Sequence, residues 1–451
     1  MQRTLILDCR EKVGDEVTIC GWVQTRRDHG KILFLDVLDR SGLIQVVVSQ
    51  QTKSTSKESK PTFEVGGLHS QDVVCVTGKV NKRSENLVNK NIPTGEIEIA
   101  AEKVEVLSKA EELPFDMGGP QLHLELPTLL DWRSLTLRHP KVKAIFKVQE
   151  TIAQTFRTVL IDEGFTEIFV PTIVPTTTEG GAQVFPIEYF EHKAYLAQSP
   201  QFYKQIMVGV YERVFSIAHA YRAEPSVTTR HLTEYVGLDV EMGFIDSWQQ
   251  LVDLAEVVIV SIIRIIEEKH QRELKQFNAE VPRVSKSIPR IKLKEALEIV
   301  YKRNGVDHRK ESDLAPDDEK EICKWALEEH GSDLVFITHY PTKKRPFYTM
   351  PDPDDPEYTL SFDLIGEGTE WVTGSQRINN YEQLLENAKK WGNKEDSLVI
   401  YLQAFKYGIP PEGGFCMGLE RITRDLLNLS NIREASLFPR DMERVDIRLS
   451  S

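Results

Sequence analysis

The sequence predicts an α+β protein in two parts: a small front barrel of short strands, then a larger domain built on a largely antiparallel sheet. Three observations predict it. Residues 1–108 are filled by short alternating segments with turn signals between them. From residue 136 the apolar spacing turns helical in two long stretches, with strand-like alternation between and after them. At 451 residues the chain is also long for one domain of the usual ~150 residues.

The front strands are VTICGWVQTRR, KILFLDVLD, LIQVVVS, DVVCVTGKV and GEIEIAAEKVEVLS, parted by turns such as DRSG (39–42) and PTGE (93–96). Five short strands over this length suit an OB-type barrel. Residues 109–135, rich in Leu, Pro and Gly, read as a linker, and 136–451 as one further domain. That domain opens with a helix over 142–164 ended by Gly164. A second runs roughly over 247–277, where Leu251, Leu254, Val258, Ile262 and Ile265 recur at helical spacing. Residues 285–345, mixed helix and charged loop, read as an insertion. Strands then dominate up to a last helix near 418–428, giving α+β.

Composition excludes little. No run approaches the ~18 apolar residues of a membrane span, and the start lacks a signal-peptide layout. The five cysteines show no C-x-x-C spacing, which argues against zinc and for reduced thiols in a cytoplasmic protein. A net charge of −13 does not veto a polyanion partner, because a local basic stripe can coexist with an acidic remainder.

The segment YRAEPSVTTRHLTEY (221–235) carries unusual charge between apolar strands. In VFSIAHAYRAE, Arg222 and Glu224 share a face; in YVGLDVEMGF (235–244), Val236, Leu238, Val240, Met242 and Phe244 form an apolar face opposite Tyr235, Gly237, Asp239 and Glu241. One face of an antiparallel sheet is often simply wet. Gly237, however, removes side-chain bulk where a ligand can lie against the strand, so the polar face reads as half of a site.

R-A-E, a loop, R-H-L-T-E-Y and G-L-D-V-E-M together resemble motif 2 of class IIb aminoacyl-tRNA synthetases. GGFCMGLERITRDLL (413–427) resembles their motif 3, and GFTEIFVPTIVP (164–175) their motif 1, the dimer strand. Three motifs in order behind an OB-type barrel cover nearly the whole chain, most similar to aspartyl-tRNA synthetases of the archaeal and eukaryotic type. RVSKS (283–287) echoes a class I signature but lacks its partner motif and is read as chance.

The resemblance implies a two-step ligase: ATP activates aspartate to an adenylate, and tRNA(Asp) then takes the aspartyl group. It implies Arg222 on the α-phosphate, His231 and Arg230 toward the outer phosphates, and Glu224 on the adenine amino group. Tyr235 (more often Phe in the family) and Arg421 sandwich the adenine. Asp363 and Glu370 of FDLIGEGTE match the carboxylates that hold Mg²⁺. In QSPQFYKQ (198–205), Ser199 can cap a helix with Pro200 at its first position, putting Gln201 and Lys204 on one face. Lys204 and Arg377 of TGSQRI then grip the β-carboxylate, with Thr373 in the same set. Asp239, Gln201 and Glu179 of TEGG hold the α-ammonium. In the barrel, Phe34 and Gln45 match positions that read the middle anticodon base, and Arg26 and Arg27 meet phosphates.

The resemblance departs at PPEGG, with Glu412 where the family has histidine, at Cys416 and Met417, and at Met442 where proline usually follows P-R-D. His29, beside the anticodon site, is similar to the choice of relatives that charge both tRNA(Asp) and tRNA(Asn). An asparagine ligase, and a tRNA-binding paralogue without catalysis, stand as alternatives. The Q-S-P-Q-x-x-K pattern speaks against the first, and retention of Arg222 and Arg421 against the second. A homodimer is implied by motif 1.

Overall fold

The computed structural model describes residues 2–30, 32–49, 53–56, 67–177, 183–225 and 228–449. They divide into two units, Met1–Glu125 and Leu126–Ser451, so the boundary falls inside the segment read as a linker.

In the first unit, β1 (Glu16–Asp28), β2 (Ile32–Leu38), β3 (Leu43–Ser49), β5 (Val73–Lys82) and β6 (Ile97–Ser108) form the sheet order β3-β2-β1-β5-β6. A parallel β3–β6 pairing closes it into a five-stranded barrel of OB type, which abolishes the open edges. A short β4 (Lys53–Ser56) adds to β6. Alternation fills the interior: Val17, Ile19, Leu35, Val37, Ile44, Val46, Val74 and Val76 are all buried. The expectation of reduced thiols is corrected at one pair. Cys20 and Cys75, 55 residues apart, lie directly opposite on β1 and β5 and form a disulfide. Strand pairing brings together two cysteines that have no local motif.

The second unit begins with α1 (Leu126–Asp131) and α2 (Arg133–Thr136), so part of the expected linker is helical. Then follow α3 (Pro140–Asp162), β7 (Thr166–Glu167), β8 (Ile173–Val174), β9 (Pro186–Tyr189), β10 (His192–Leu196), α4 (Gln201–Tyr211), β11 (Arg213–Tyr221) and β12 (Glu234–Gly243). Next come α5 (Gln249–Lys269), α6 (Gln271–Phe277), β13 (Arg290–Lys292), α7 (Leu293–Asn304), α8 (Pro316–His330) and β14 (Leu334–Thr338). The chain ends through β15 (Ser361–Gly366), β16 (Thr369–Gln376), α9 (Tyr381–Lys390), α10 (Val399–Lys406), β17 (Glu412–Gly418) and α11 (Leu419–Leu426).

An eight-stranded sheet, in the order β13-β14-β15-β16-β17-β12-β11-β7, organises the unit. Its six central strands are antiparallel and its two edge pairs parallel. One face is apolar and packs on α3 and α5, where Ile152, Phe156, Leu251, Val258 and Ile262 meet Leu238, Val240, Phe362, Phe415 and Met417. Truncating a residue as enclosed as Phe156 costs about 3–5 kcal/mol. The other face is free to be polar.

Several expectations need correction. The segment 285–345 is not a mere insertion: β13 and β14 belong to the main sheet, and every residue of β14 (LVFIT) is buried. The apolar face of β12 stops at Met242. Phe244 lies beyond the strand with positive φ and is two-thirds exposed, at 67%. β11 ends at Tyr221, so Arg222 and Glu224 follow the strand rather than belong to it. Two helices, α9 and α10, lie in the stretch where strands were expected to dominate. The long second helix breaks at His270.

Candidate functional site

The polar face of the sheet is laid out in rows. Asp239 on β12 lies opposite Cys416 on β17, Cys416 opposite Thr373 on β16, and Thr373 opposite Asp363 on β15. The next row runs Glu241, Gly414, Ser375, Ser361. Two glycines keep these rows open. A Cβ at Gly237 would stand 2.7 Å from Asp239 Oδ2, and one at Gly414 would collide with the Val240 carbonyl and Glu241. Over this face lies a cavity of about 450 Å³.

At one end the cavity is bounded by buried charge. Lys204, on the first turn of α4, bridges Asp239 Oδ1 at 2.9 Å and Glu241 Oε2 at 3.2 Å. Arg377, just past β16, meets Glu241 Oε1 at 2.7 Å. It also donates to Ser375 Oγ, to the Gly414 carbonyl at 3.1 Å and to Gln201 Oε1 at 3.5 Å. Burial alone would lower the Lys204 ammonium, but Asp239 and Glu241 outweigh it and hold the group charged above its usual value. Arg377 behaves likewise, raised by Glu241 against burial. Removing one partner from so buried a set leaves an uncompensated charge, at a cost of about 3–5 kcal/mol. Ser199 Oγ accepts from Gln201 N at 3.3 Å, but α4 starts at Gln201, one residue later than the capping pattern suggested.

At the other end stand the segments of the charged hairpin and α11. Arg222 lies 3.7 Å from Glu224, its guanidinium 5.8 Å from the Tyr235 ring centroid. His231 is held by Thr228 at 2.6 Å and lies 3.8 Å from Glu224. Burial lowers its imidazole, and Arg421, Arg230 and Arg222 add to this against Glu224. Arg421 donates to the Glu370 carbonyl at 2.6 Å and to its carboxylate at 3.2 Å. Both oxygens of Glu420 accept from Val236 N, yet burial still pushes this carboxyl up to about 7.

The cavity lining thus gathers Gln201, Lys204, Arg222, Glu224, Arg230, His231, Tyr235, Asp239, Glu370, Thr373, Arg377 and Arg421 from six separated segments. Asp363 does not line it, but is buried behind Arg345. Glu179 lies outside the described residues.

Arg345 and Glu319 escaped sequence reasoning, and Glu241 and Glu412, which it named, gain partners it did not supply. Glu241 neutralises both buried cations. Arg345 joins Asp363 at 2.6 Å, donates to Thr373 at 3.1 Å and lies 4.0 Å over the Tyr340 ring; the KKR run at 343–345 was its only signal. Glu319 on α8 meets Arg230 at 3.2 Å; burial pushes it up to about 7, with Glu370 adding to the pull and Arg230 opposing it. Glu412 is described below.

The fit of Mg²⁺ rests on spare hard-oxygen capacity. Asp363 Oδ1 is buried with no hydrogen-bond partner among the described residues. Burial and then Asp363 raise Glu370, so the two carboxylates sit close enough to repel. A pair of carboxylates completed by substrate phosphate and water is what Mg²⁺ takes; Glu370 faces the cavity, and Asp363 would have to leave Arg345 to share the ion.

On the barrel, Arg27 makes a two-pronged contact with Asp36 at 2.8 and 3.0 Å and donates to Gln45 at 3.3 Å; Gln45 donates to Glu98 at 3.0 Å. Half-buried Phe34 lies opposite Arg27 on the neighbouring strand, with His29 edge-on at 5.5 Å. Arg26 pairs with Asp28 at 3.0 Å. The outer face of β1–β3 therefore carries the Phe34 ring among polar groups, a layout suited to stacking an unpaired base.

Comparison with known proteins accords with both units. Residues 125–442 match the family described as tRNA synthetases class II (D, K and N), and residues 17–107 match the OB-fold nucleic acid binding domain. An aspartate--tRNA(Asp/Asn) ligase of Aeropyrum pernix is 44% identical over 96% of this chain and 96% of its own length. An aspartate--tRNA(Asp) ligase of Pyrococcus abyssi is 40% identical, with 96% of each chain covered. Among solved structures, asparaginyl-tRNA synthetase from Pyrococcus horikoshii complexed with asparaginyl-adenylate superposes with a TM-score of 0.87 at 32% identity, covering 99% of both chains. The cavity on the antiparallel sheet, the barrel ahead of it and these full-length likenesses lead to one statement: the chain belongs to the class II aminoacyl-tRNA synthetases of the D, K and N group.

Proposed function

We propose that the protein is an aspartate--tRNA ligase. It activates L-aspartate with ATP, releasing pyrophosphate, and transfers the aspartyl group from the adenylate to tRNA(Asp), releasing AMP. The carrying observation is that Lys204 and Arg377 share Glu241 at one end of a single cavity, with Asp239 beside them. Each charge of aspartate meets its opposite there: the β-carboxylate the two cations, the α-ammonium Asp239 and the Gln201 oxygen. Glu179 is assigned to the same ammonium from the motif alone. Asparagine would forfeit two charge-assisted hydrogen bonds of ~1.5–3 kcal/mol each, roughly 10²- to 10⁴-fold in rate.

At the other end, Arg222 steadies the α-phosphate, Arg230 and His231 the outer phosphates, and Tyr235 and Arg421 clasp the adenine while Glu224 accepts from its amino group. Glu370 and Asp363 would hold Mg²⁺, which would supply charge neutralisation at the phosphates. Positioning and charge carry such chemistry.

Charging of tRNA(Asn) as well is the second reading. His29 edge-on to Phe34 supports it by adding a residue at the anticodon face, and two relatives named for both tRNAs are 44% and 41% identical. A homodimer through the motif 1 region is supported by exposed apolar side chains there, Phe169 at 88% and Ile173 at 45%. Among the described residues no helix is long and apolar enough to cross a membrane, and the cytoplasm, where these substrates meet, is the location we assign. Aminoacylation of tRNA(Asp) and tRNA(Asn) with each amino acid tests the reading. Aspartate on tRNA(Asp) is expected, and no aspartyl product on either tRNA would overturn it.

A further inference from the structure

Glu412 opens β17 and is wholly buried, an unusual place for a carboxyl. Its Oε1 accepts from Gln205 Nε2 at 2.7 Å. Gln205, also wholly buried, accepts at Oε1 from Gln201 Nε2 at 2.9 Å and from the Tyr401 hydroxyl at 3.1 Å. Gln201 is thereby left with its oxygen toward Arg377 and the cavity. Glu412 Oε2 has no hydrogen-bond partner among the described residues.

Direction matters in this chain. An amide can present either an acceptor or two donors, and Tyr401 can serve either orientation because a hydroxyl donates and accepts. Gln201 and Gln205 could flip together without losing the bond between them. Two groups break the tie: the Arg377 guanidinium, which donates to Gln201 Oε1, and Glu412, whose Oε1 takes the Gln205 NH₂ so long as any proton sits on the unpartnered Oε2. Burial, with Glu241 adding to it, pushes this carboxyl well above its usual range.

We propose that Glu412 is a positioning residue for amino-acid binding: through Gln205 it forces Gln201 to offer its oxygen, rather than its NH₂, to the substrate ammonium. The inference rests on the aspartate-ligase reading. A flipped Gln201 would point N–H donors at an ammonium, and the site would lose its acceptor and gain a repulsion.

The test uses the full chain in aspartate-dependent pyrophosphate exchange, with succinate, which lacks the ammonium, as a competitive inhibitor. Glu412→Met keeps volume and removes the acceptor. It is expected to raise KM for aspartate on the order of 10-fold, with KM for ATP and the succinate inhibition constant unchanged. Glu412→Gln, whose amide can turn either its oxygen or its NH₂ to Gln205, is expected to fall between wild type and Glu412→Met. Gln205→Met should match Glu412→Met, and the double variant should be no worse than either. Thermal melting of each variant checks folding. An unchanged aspartate KM in Glu412→Met, a parallel loss of succinate binding, or a Glu412→Gln variant worse than Glu412→Met would each overturn the relay alone. A wild-type protein with no aspartate-dependent exchange would overturn the functional reading as well.

Discussion

The cavity of the second unit and the outer face of the barrel both concentrate charge, yet they are built oppositely. Lys204 and Arg377 are 1% and 6% exposed and reach carboxylates from other segments. On the barrel, the Arg26 and Arg27 side chains are 28% and 48% exposed and pair with acids of the same or the adjacent strand. Buried charge must be matched by distant residues or not be there at all. Exposed pairs contribute about 0–1 kcal/mol and can be released when a ligand arrives. The cavity is therefore preorganised, and the barrel face is adaptable.

That contrast can be broken by substitution, and the largest effect is expected at the buried end. Arg377→Met or Lys204→Met should lower aspartate activation by 10³-fold or more and cost about 3–5 kcal/mol of stability, because Glu241 is left buried and short of a partner. Exchange kinetics and denaturant unfolding check both parts. Arg222→Ala, at the half-exposed nucleotide end, should cost on the order of 10²- to 10³-fold in kcat with little change in melting.

Glu420 sharpens the comparison through pH. Its folded value of about 7 stands above the ordinary 4.5. Between these values the folded state holds a proton that the unfolded state has lost, so stability falls as pH rises through this window. Glu420→Gln should flatten that fall, gaining on the order of 1–3 kcal/mol over wild type at pH 8. Unfolding at pH 5 and pH 8 checks it; equal slopes would contradict the account.

On the barrel, Phe34→Ala should raise KM for tRNA roughly 10-fold, from the ~1–3 kcal/mol of one stacked base, and leave tRNA-independent exchange untouched. The smallest effect is expected from Arg26→Ala. Its stability should be unchanged within about 0.5 kcal/mol, with tRNA binding weakened chiefly at low salt.

The same contrast explains what could be read from the sequence. Period-2 alternation gave away the five barrel strands and β12, and helical spacing gave away α3 and α5, because each has one polar face, which for β12 is buried beneath the cavity. β14 has none, so its continuous apolar run carried no period and its segment passed for an insertion. Motif residues such as Arg222, Lys204 and Arg421 were legible because their local spacing is distinctive. Arg345 and Glu319 were not, and Glu241 was read only as part of the polar face, since each matters through a partner brought in by the fold. Cys20 and Cys75 were missed for the same reason: only the pairing of β1 with β5 makes them neighbours.

The most direct test of the paired cations at the closed end is pyrophosphate exchange in wild-type protein with aspartate and asparagine side by side. Aspartate should support exchange at least about 10²-fold better in kcat/KM. Equal rates, or a preference for asparagine, would contradict the assignment of Lys204 and Arg377 to a substrate carboxylate.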